Sequence, residues 1–271
     1  MIINFLYPQQ SEIKYHIDTY PDGQKQLVID SELNRREPIT IYTRIASMDD
    51  LFIILQVKDI CDRNGIWIDM MRIAYLLCGR TDRLFNNVNS AISLKVILDM
   101  LSVFKGTIIR IFEPHNVNSD IILTGKEFLF PEFGTTFYSE FSSYTIICPD
   151  TGAKERYGRR DTILCKKSRT KDGITIELET PIDERFLTSP GYVVIDDLCD
   201  GGGTFFAIHK ALPDDVKKNV HLCVAHAIQQ DPIIELSKLY KTVTITNSFK
   251  NWEDYYFPSN VKVIKLWNKN D

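Results

Sequence analysis

The sequence predicts an α/β protein built from two tandem units, each a mostly parallel sheet covered by helices. Short apolar, β-branched runs alternate with segments of helical periodicity along the chain, which is the pattern that βαβ connections leave in a sequence. The alternation restarts after a change of composition between about 116 and 134. A length of 271 residues also suits two modest domains. We therefore expect a first unit over 1–120 and a second over 121–271, with the tail over 261–271 either ending the second unit or returning to the first.

Five short apolar runs predict the strands of the first half. Ser47, with Asp50 three residues later, resembles a capping box and predicts a helix that begins there. Apolar periodicity predicts a second helix from Ser90 to Phe104. The predicted strands are Ile2–Tyr7, Gln26–Ile29, Ile39–Arg44, Ile66–Ile73 and Thr107–Phe112.

Six similar runs predict the strands of the second half, and the segments between them include three with helical periodicity. The segment KKSRTKDG, over 166–173, has no apolar residue, so we expect a basic loop without an apolar anchor. The predicted strands are Tyr144–Cys148, Thr162–Cys165, Ile174–Leu178, Val193–Ile195, Val220–Ala225 and Thr242–Ile245, and the predicted helices follow Ala153 or span Phe205–Leu212 and Pro232–Leu239.

The stretch GYVVIDDLCDGGGTFFAIHKAL, over 191–212, carries the clearest functional pattern. An apolar strand leads into acidic residues, a glycine run and a helix with one apolar face. A helix N-terminus presents unpaired N–H groups and a positive dipole end, and glycine lets an anion approach the backbone. The preceding carboxylates suit sugar hydroxyls or Mg²⁺. We expect a ribose phosphate to be bound by Asp196, Asp197, Asp200, Gly201, Gly202, Gly203 and Thr204.

Three further segments each allow a functional and a plain structural interpretation. The sequence YPDGQ, from Tyr20 to Gln24, taken alone predicts a hairpin turn. The charged segment Gly79–Arg83 follows a predicted strand, where α/β folds place ligand contacts, but it also suits a solvated loop. His115 follows a buried strand and is a candidate metal or phosphate ligand, although a lone histidine is more often structural.

The overall composition excludes some classes of partner. The net charge is −4 and the pI is about 5.8, so neither nucleic acid nor a membrane surface is an expected partner. The first ten residues lack the basic region and long apolar run of a secretory signal. Six cysteines are scattered, mostly inside apolar runs and without metal-type spacing. They are typical of reduced thiols in a cytoplasmic protein.

Six motifs in order, YPDGQ, GRTDR, a PH pair at a strand end, PDTG, KSR and DDLCDGGGT, resemble those of the ribose-phosphate pyrophosphokinases, also called phosphoribosyl-pyrophosphate synthetases. The resemblance runs from Tyr20 to about Asn247. It implies two type I phosphoribosyltransferase-like domains side by side. It also implies a homo-oligomer that transfers the β,γ-diphosphoryl group of ATP to the C1 hydroxyl of ribose 5-phosphate.

The resemblance assigns roles to the residues that match the motifs. The adenine of ATP would be bound across a subunit boundary, and the basic segment would close over the transferring phosphates. By this resemblance the ATP-binding residues are Tyr20, Asp22, Gly23, Gln24, Arg80 and Thr81, the Mg²⁺ ligands are His115 and Asp150, and the catalytic residues are Lys167, Arg169 and His115.

The chain departs from the family pattern at several positions. Gln24 and Thr81 stand where the family usually has Glu and Gln, and Gly201 stands where Thr is common. Loss of a hydroxyl donor at Gly201 suits a bulkier, less charged 5′-group than a terminal phosphate. Ribose 5-phosphate is the expected acceptor, and ADP-ribose, which related enzymes pyrophosphorylate for NAD⁺ synthesis, is the alternative. A phosphoribosyltransferase and a non-catalytic relative remain as further alternatives.

Overall fold

The chain folds into two compact units. The computed structural model describes residues 1–84, 89–115, 140–159, 161–170 and 173–268, without the side chains of residues 169, 170, 185 and 187. One unit comprises Met1–Phe130 together with Trp267–Asp271, and the other comprises Pro131–Leu266. The predicted junction at about 116–134 lies outside the described residues.

The described part of the first unit has a parallel sheet, an antiparallel hairpin and two helices. Its elements are β1 (Ile2–Asn4), a 3₁₀ turn (Pro8–Gln10), β2 (Tyr15–Thr19), β3 (Lys25–Ile29), β4 (Ile39–Ile45), α1 (Met48–Asn64), β5 (Ile68–Leu76), α2 (Ser93–Leu101) and β6 (Ile108–Ile111). The parallel strands lie in the order β1-β4-β5-β6, and β2 pairs with β3. Parallel strands place their carboxyl ends at one edge, so the segments that follow β5 and β6 emerge together.

Helix α1 begins where its capping box predicts. The Ser47 hydroxyl accepts a hydrogen bond from the Asp50 N–H at 3.2 Å, and the Asp50 carboxylate accepts one from the Ser47 N–H at 2.8 Å. Gly65 ends the helix in the left-handed region, with φ 66°, where glycine carries no steric cost. One face of the sheet is buried against the helices, so that Ile41 and Ile73 share a core cluster with Leu51.

The second unit is a larger sheet flanked by helices. Its described elements are β7 (Thr145–Cys148), α3 (Thr151–Tyr157), β8 (Thr162–Thr170), β9 (Gly173–Leu178), α4 (Glu184–Leu187), β10 (Tyr192–Cys199), α5 (Gly203–Ala211), α6 (Asp214–Lys217), β11 (Val220–Ala227), α7 (Gln230–Ser237), β12 (Val243–Thr246), a 3₁₀ turn (Trp252–Asp254) and β13 (Val261–Ile264). The order is β13-β12-β11-β10-β7-β8-β9. All pairs are parallel except β8 with β9. The predicted α/β class with mostly parallel sheets is confirmed.

The centre of this sheet carries the candidate site. Every residue of β11 is buried, as expected for a parallel strand covered on both faces. Its neighbour β10 pairs with β11 on one side and with β7 on the other. Within the ranges that the structure describes, no helix is long and apolar enough to cross a membrane.

Three local predictions were wrong. The polar segment before YPDGQ, where no strand is predicted, forms β2, whose residues are mostly exposed and which is held by its pairing with β3. Strand β10 continues to Cys199, so Asp196 and Asp197 lie within it, because the pairing with β11 continues past Ile195. The basic segment after Cys165 continues β8 to Thr170 instead of forming an unanchored loop.

Candidate active site

The glycine run forms an open helix start directly after β10. Helix α5 begins at Gly203, and Gly202 precedes it in the left-handed region with φ 74°. Among the described residues, no side chain caps this start. The N–H groups of Gly203 and Thr204 therefore stand at the positive end of the helix dipole, which favours an anion. This backbone suits a phosphate.

The first two glycines of the run differ in their surroundings. A Cβ on Gly201 would meet no atom within 4 Å, and its φ lies outside the left-handed region. A Cβ on Gly202 would lie 2.8 Å from Cε2 of Phe206 and 3.3 Å from Cδ1 of Leu236. Gly202 is therefore required by both backbone and packing. Gly201 leaves open space beside the N–H groups of Gly203 and Thr204, which together form the candidate phosphate cradle.

The adjacent carboxylates of β10 have different environments. Asp197 is only 5 % exposed, and its Oδ2 lies 3.5 Å from Nη1 of Arg156 on α3. Asp196 is partly exposed, and its Oδ1 accepts a hydrogen bond from the Asp197 N–H at 2.9 Å. Desolvation, followed by the negative charges of Asp197 and Asp150, raises the pKa of Asp196 well above its ordinary value. Arg156 thus compensates Asp197, while a cation or a proton is favoured at Asp196.

Asp150 is the predicted Mg²⁺ ligand of the second unit. It caps α3, where its Oδ1 accepts a hydrogen bond from the Ala153 N–H at 3.0 Å. Within the described ranges, no three metal-ligating side chains are grouped closely enough to form a site. Mg²⁺ usually takes only one or two carboxylates and completes its shell with water and substrate phosphates. The oxygen donors of Asp150 and Asp196, whose charges interact, therefore fit an Mg²⁺ ion that arrives with phosphates.

Asp200 lies at the rim of the glycine run. Its Oδ1 accepts a hydrogen bond from Nε2 of Gln229 at 2.8 Å. Gln229 directly precedes α7, and Pro232 of that helix would lie 3.3 Å from a Cβ on Gly202. The start of α7 therefore supports the loop on one side.

The basic segment that the sequence predicts to be catalytic belongs to the β8–β9 hairpin. Lys167 pairs with Ile176, and Arg169 pairs with Ile174. Strand β9 packs against α5, and a Cβ on Gly203 would lie 3.3 Å from Cδ1 of Ile174. The hairpin therefore has an apolar anchor, and the structure brings the strand that carries Lys167 close to the phosphate cradle.

Two of the predicted segments of the first unit, GRTDR and the PH pair, meet at the carboxyl edge of its sheet. A Cβ on Gly79 would lie 3.9 Å from Cβ of His115, so the GRTDR segment and the end of β6 are neighbours. Arg80 and His115 are exposed there. The Thr81 hydroxyl donates a hydrogen bond to the Cys78 carbonyl at 2.9 Å, which holds a turn. The structure thus brings Arg80 and His115 to one edge.

The residues predicted to contact adenine form the tip of the β2–β3 hairpin. The Tyr20 N–H donates to the Gln24 carbonyl at 2.8 Å, and Gly23 has φ 88°. The Asp22 carboxylate accepts a hydrogen bond from the Gln24 N–H at 3.0 Å. All of these residues are exposed. The plain hairpin turn that the local sequence predicts is therefore present, and the adenine role of the tip remains a prediction.

Three residues beside the site were not singled out from the sequence. Arg156 compensates Asp197, Gln229 bonds to Asp200, and Ile174 approaches Gly203. A signal existed for Ile174, because Ile174, Ile176 and Leu178 alternate with polar residues as in a strand with one packed face. Arg156 and Gln229 are ordinary polar residues whose partners are distant in sequence, so no local pattern marks them.

Comparison with known proteins gives matches in sequence and in fold. No family model matches the chain. A ribose-phosphate pyrophosphokinase of Xylella fastidiosa is 22 % identical over 256 residues, which cover 84 % of this chain and 76 % of that protein. A ribose-phosphate pyrophosphokinase of a Nostoc species is 35 % identical over 68 residues, or 24 % of this chain and 21 % of that protein.

The crystal structure of phosphoribosylpyrophosphate synthetase from Mycobacterium smegmatis matches with a TM-score of 0.74 at 15 % identity. The match covers 98 % of this chain and 94 % of that one, so the likeness in fold extends over both units. The sequence matches and the fold agree with the ordered motifs. The chain is thus similar to ribose-phosphate pyrophosphokinases in sequence and to a phosphoribosylpyrophosphate synthetase in fold.

Proposed function

We propose that the protein transfers a diphosphoryl group from ATP, with Mg²⁺, to the C1 hydroxyl of a ribose 5-phosphate moiety, giving phosphoribosyl pyrophosphate and AMP. One observation carries the proposal. The strand that bears Lys167 is anchored beside the glycine loop through β9, at Ile174 and Gly203. A ribose-phosphate cradle next to a basic strand is what a phosphoryl-transfer site requires, because the reaction needs cations around the transferred group.

In the proposed reaction the C1 hydroxyl oxygen forms a bond to the β-phosphorus of ATP. The bond between that phosphorus and the oxygen shared with the α-phosphate breaks, AMP leaves, and the hydroxyl proton passes to solvent. Mg²⁺, which the resemblance assigns to His115 and Asp150, would neutralise charge that builds up on the phosphoryl oxygens. Lys167 and Arg169 would stabilise the same charge.

The second unit's other residues would hold the acceptor. The backbone N–H groups of Gly203 and Thr204 would bind the 5′-phosphate. Asp196 would accept hydrogen bonds from the ribose hydroxyls, and Arg156 would compensate the charge of Asp197 beside it. These assignments follow the resemblance and agree with the chemistry of the groups present.

ATP itself is assigned to residues of the first unit. Arg80 would contact its phosphates, and the hairpin tip at Tyr20 would complete the adenine site of a neighbouring subunit in a homo-oligomer.

A cytoplasmic location belongs to the same proposal, because five cysteines are buried free thiols and Cys78 is a partly exposed one, as in a reducing compartment.

ADP-ribose is a second candidate acceptor, and a specific observation favours it. Gly201 has open space where the family commonly has Thr, so the cradle lacks a hydroxyl donor at this first loop position and has room for a 5′-group that continues outward. A terminal phosphate dianion would gain from that donor, whereas the diester of ADP-ribose needs the space.

The test is to incubate the protein with ATP and Mg²⁺, to offer ribose 5-phosphate and ADP-ribose separately, and to identify products by mass. AMP together with a pyrophosphorylated acceptor is the expected result. If AMP forms with neither acceptor, the proposed reaction is ruled out. Consumption of phosphoribosyl pyrophosphate in the absence of ATP would indicate a phosphoribosyltransferase.

Gly201→Thr, with Gly201→Ala as the control, then tests the choice of acceptor. Thr adds the missing hydroxyl without backbone strain, since Gly201 is outside the left-handed region. One hydrogen bond to a charged group is worth about 1.5–3 kcal/mol. The ratio of kcat/KM for ribose 5-phosphate over ADP-ribose should therefore rise about tenfold or more in the Thr variant only. An unchanged ratio would show that Gly201 does not set the acceptor.

A further inference from the structure

We infer that Ile174 is a positioning residue that seats the strand bearing Lys167 and Arg169 against the ribose-phosphate loop at Gly203. The inference rests on the proposed function, because it concerns how the basic strand is placed for diphosphoryl transfer. It adds a residue that lies outside the motifs shared with the family.

The geometry of the hairpin supports this role. Arg169 in β8 pairs with Ile174 in β9, and β9 packs against α5. A Cβ on Gly203, the first residue of that helix, would lie only 3.3 Å from Cδ1 of Ile174. The end of the Ile174 side chain therefore rests beside the turn that presents the phosphate-binding N–H groups.

Ile174 differs from the other apolar residues of its strand. Ile176 and Leu178 are partly buried and pack against the hydrophobic core of the second unit. These two anchor the base of the hairpin, whereas Ile174 fixes the part nearest its end to the glycine loop. Successive residues of a strand point to opposite faces, so all three belong to one face and differ only in what they touch.

The contact joins the two parts of the site that must act together. Transfer requires a cation at the phosphoryl group while the acceptor is held by its 5′-phosphate. A misplacement of about 1 Å in such a site can cost about 100-fold in rate. In this arrangement Gly203 also leaves room for Ile174, because any side chain at position 203 would push Ile174 away.

The test compares Ile174→Ala with Ile174→Val and with the control Ile176→Ala. The control removes the same side chain from the same strand and face, at the position opposite Lys167. If the loss came from a general loosening of the hairpin, Ile176→Ala would therefore lower kcat at least as strongly as Ile174→Ala. We expect Ile174→Ala to lower kcat about tenfold or more with the acceptor KM changed less than about threefold. Ile174→Val should retain most of the wild-type kcat, and Ile176→Ala should lower kcat less than Ile174→Ala does.

A second measurement does not depend on turnover. Trypsin cleavage after Lys166 and Lys167 reports local opening of the hairpin. Binding of ribose 5-phosphate or ADP-ribose, whichever calorimetry shows to bind, should slow this cleavage in the wild type and in Ile176→Ala. The same ligand should give little protection in Ile174→Ala.

Each outcome decides the question. Equal losses in Ile174→Ala and Ile176→Ala, or protection that survives in Ile174→Ala, would overturn the role of Ile174 while leaving the proposed function intact. A wild type that binds an acceptor without turnover would refute the proposed function alone, and the cleavage comparison would still decide on Ile174. A wild type that binds neither acceptor would refute both.

Discussion

Gly202→Ala should destabilise the second unit, and the structure separates this effect from that of its neighbour Gly201. Gly202 has φ 74°, where an L-residue costs about 1–2 kcal/mol relative to glycine. The new Cβ would also lie 2.8 Å from Cε2 of Phe206 and 3.3 Å from Leu236. Phe206 is only partly buried, so its ring can move and the packing cost falls near the lower end of the usual 1–3 kcal/mol, about 1 kcal/mol.

The sum is about 2–3 kcal/mol, which for a cooperative unit of this size lowers the melting temperature by about 5–10 °C. Gly201→Ala provides the matched control. It meets no atom within 4 Å and has no left-handed backbone, so it should be neutral or stabilise by about 0.4–1 kcal/mol through the unfolded state.

Urea and thermal denaturation of the two variants, followed by circular dichroism, measure the difference directly. The measurement needs neither substrate nor metal, so it tests the backbone of the loop independently of the proposed reaction. Equal stability of Gly202→Ala and Gly201→Ala would refute the assigned conformation of the loop.

Two further predictions concern charged groups of the site. Lys167→Ala should lower kcat about 100-fold or more while circular dichroism stays unchanged. The control Lys166→Ala, at the adjacent exposed position, should change kcat by less than about threefold. Comparable losses of kcat in the two variants, measured in steady-state assays, would refute the special role of Lys167. Asp196→Asn should raise the melting temperature by a few degrees at pH 7 in EDTA while abolishing acceptor binding. The pKa of Asp196 is raised above 3.8 in the folded state, so its contribution to stability is complete below that pH and is lost as pH rises through the folded-state pKa. The increase in melting temperature caused by Asp196→Asn should therefore shrink as the pH falls towards 4. An increase that does not depend on pH would contradict the argument that burial of the Asp196 carboxylate is costly.

The sequence by itself determined the sheet-and-helix alternation, the start of α1 and the open start of α5 after the glycine run. These features depend on local chemistry. Ser47 and Asp50 satisfy each other's backbone donors within one turn. A glycine run between a buried strand and an amphipathic helix favours an open helix start.

Other features of the candidate site required the tertiary structure, because they depend on residues distant in sequence. The segment after Cys165 has no apolar pattern of its own, and it becomes a strand only because β9 pairs with it and packs on α5. Pairing with β11 likewise extends β10 through Asp196 and Asp197, and it brings Asp197 to 3.5 Å from Arg156.

Gly201 and Gly202 show most clearly the difference between what the sequence determined and what the tertiary structure decided. The sequence presents Gly201 and Gly202 as equivalent members of one run. Only the folded chain places Phe206 and Leu236 against the second and open space beside the first. Which glycine the fold requires was therefore decided by the packing of Phe206 in α5 and Leu236 in α7 against Gly202 and by the left-handed backbone at Gly202.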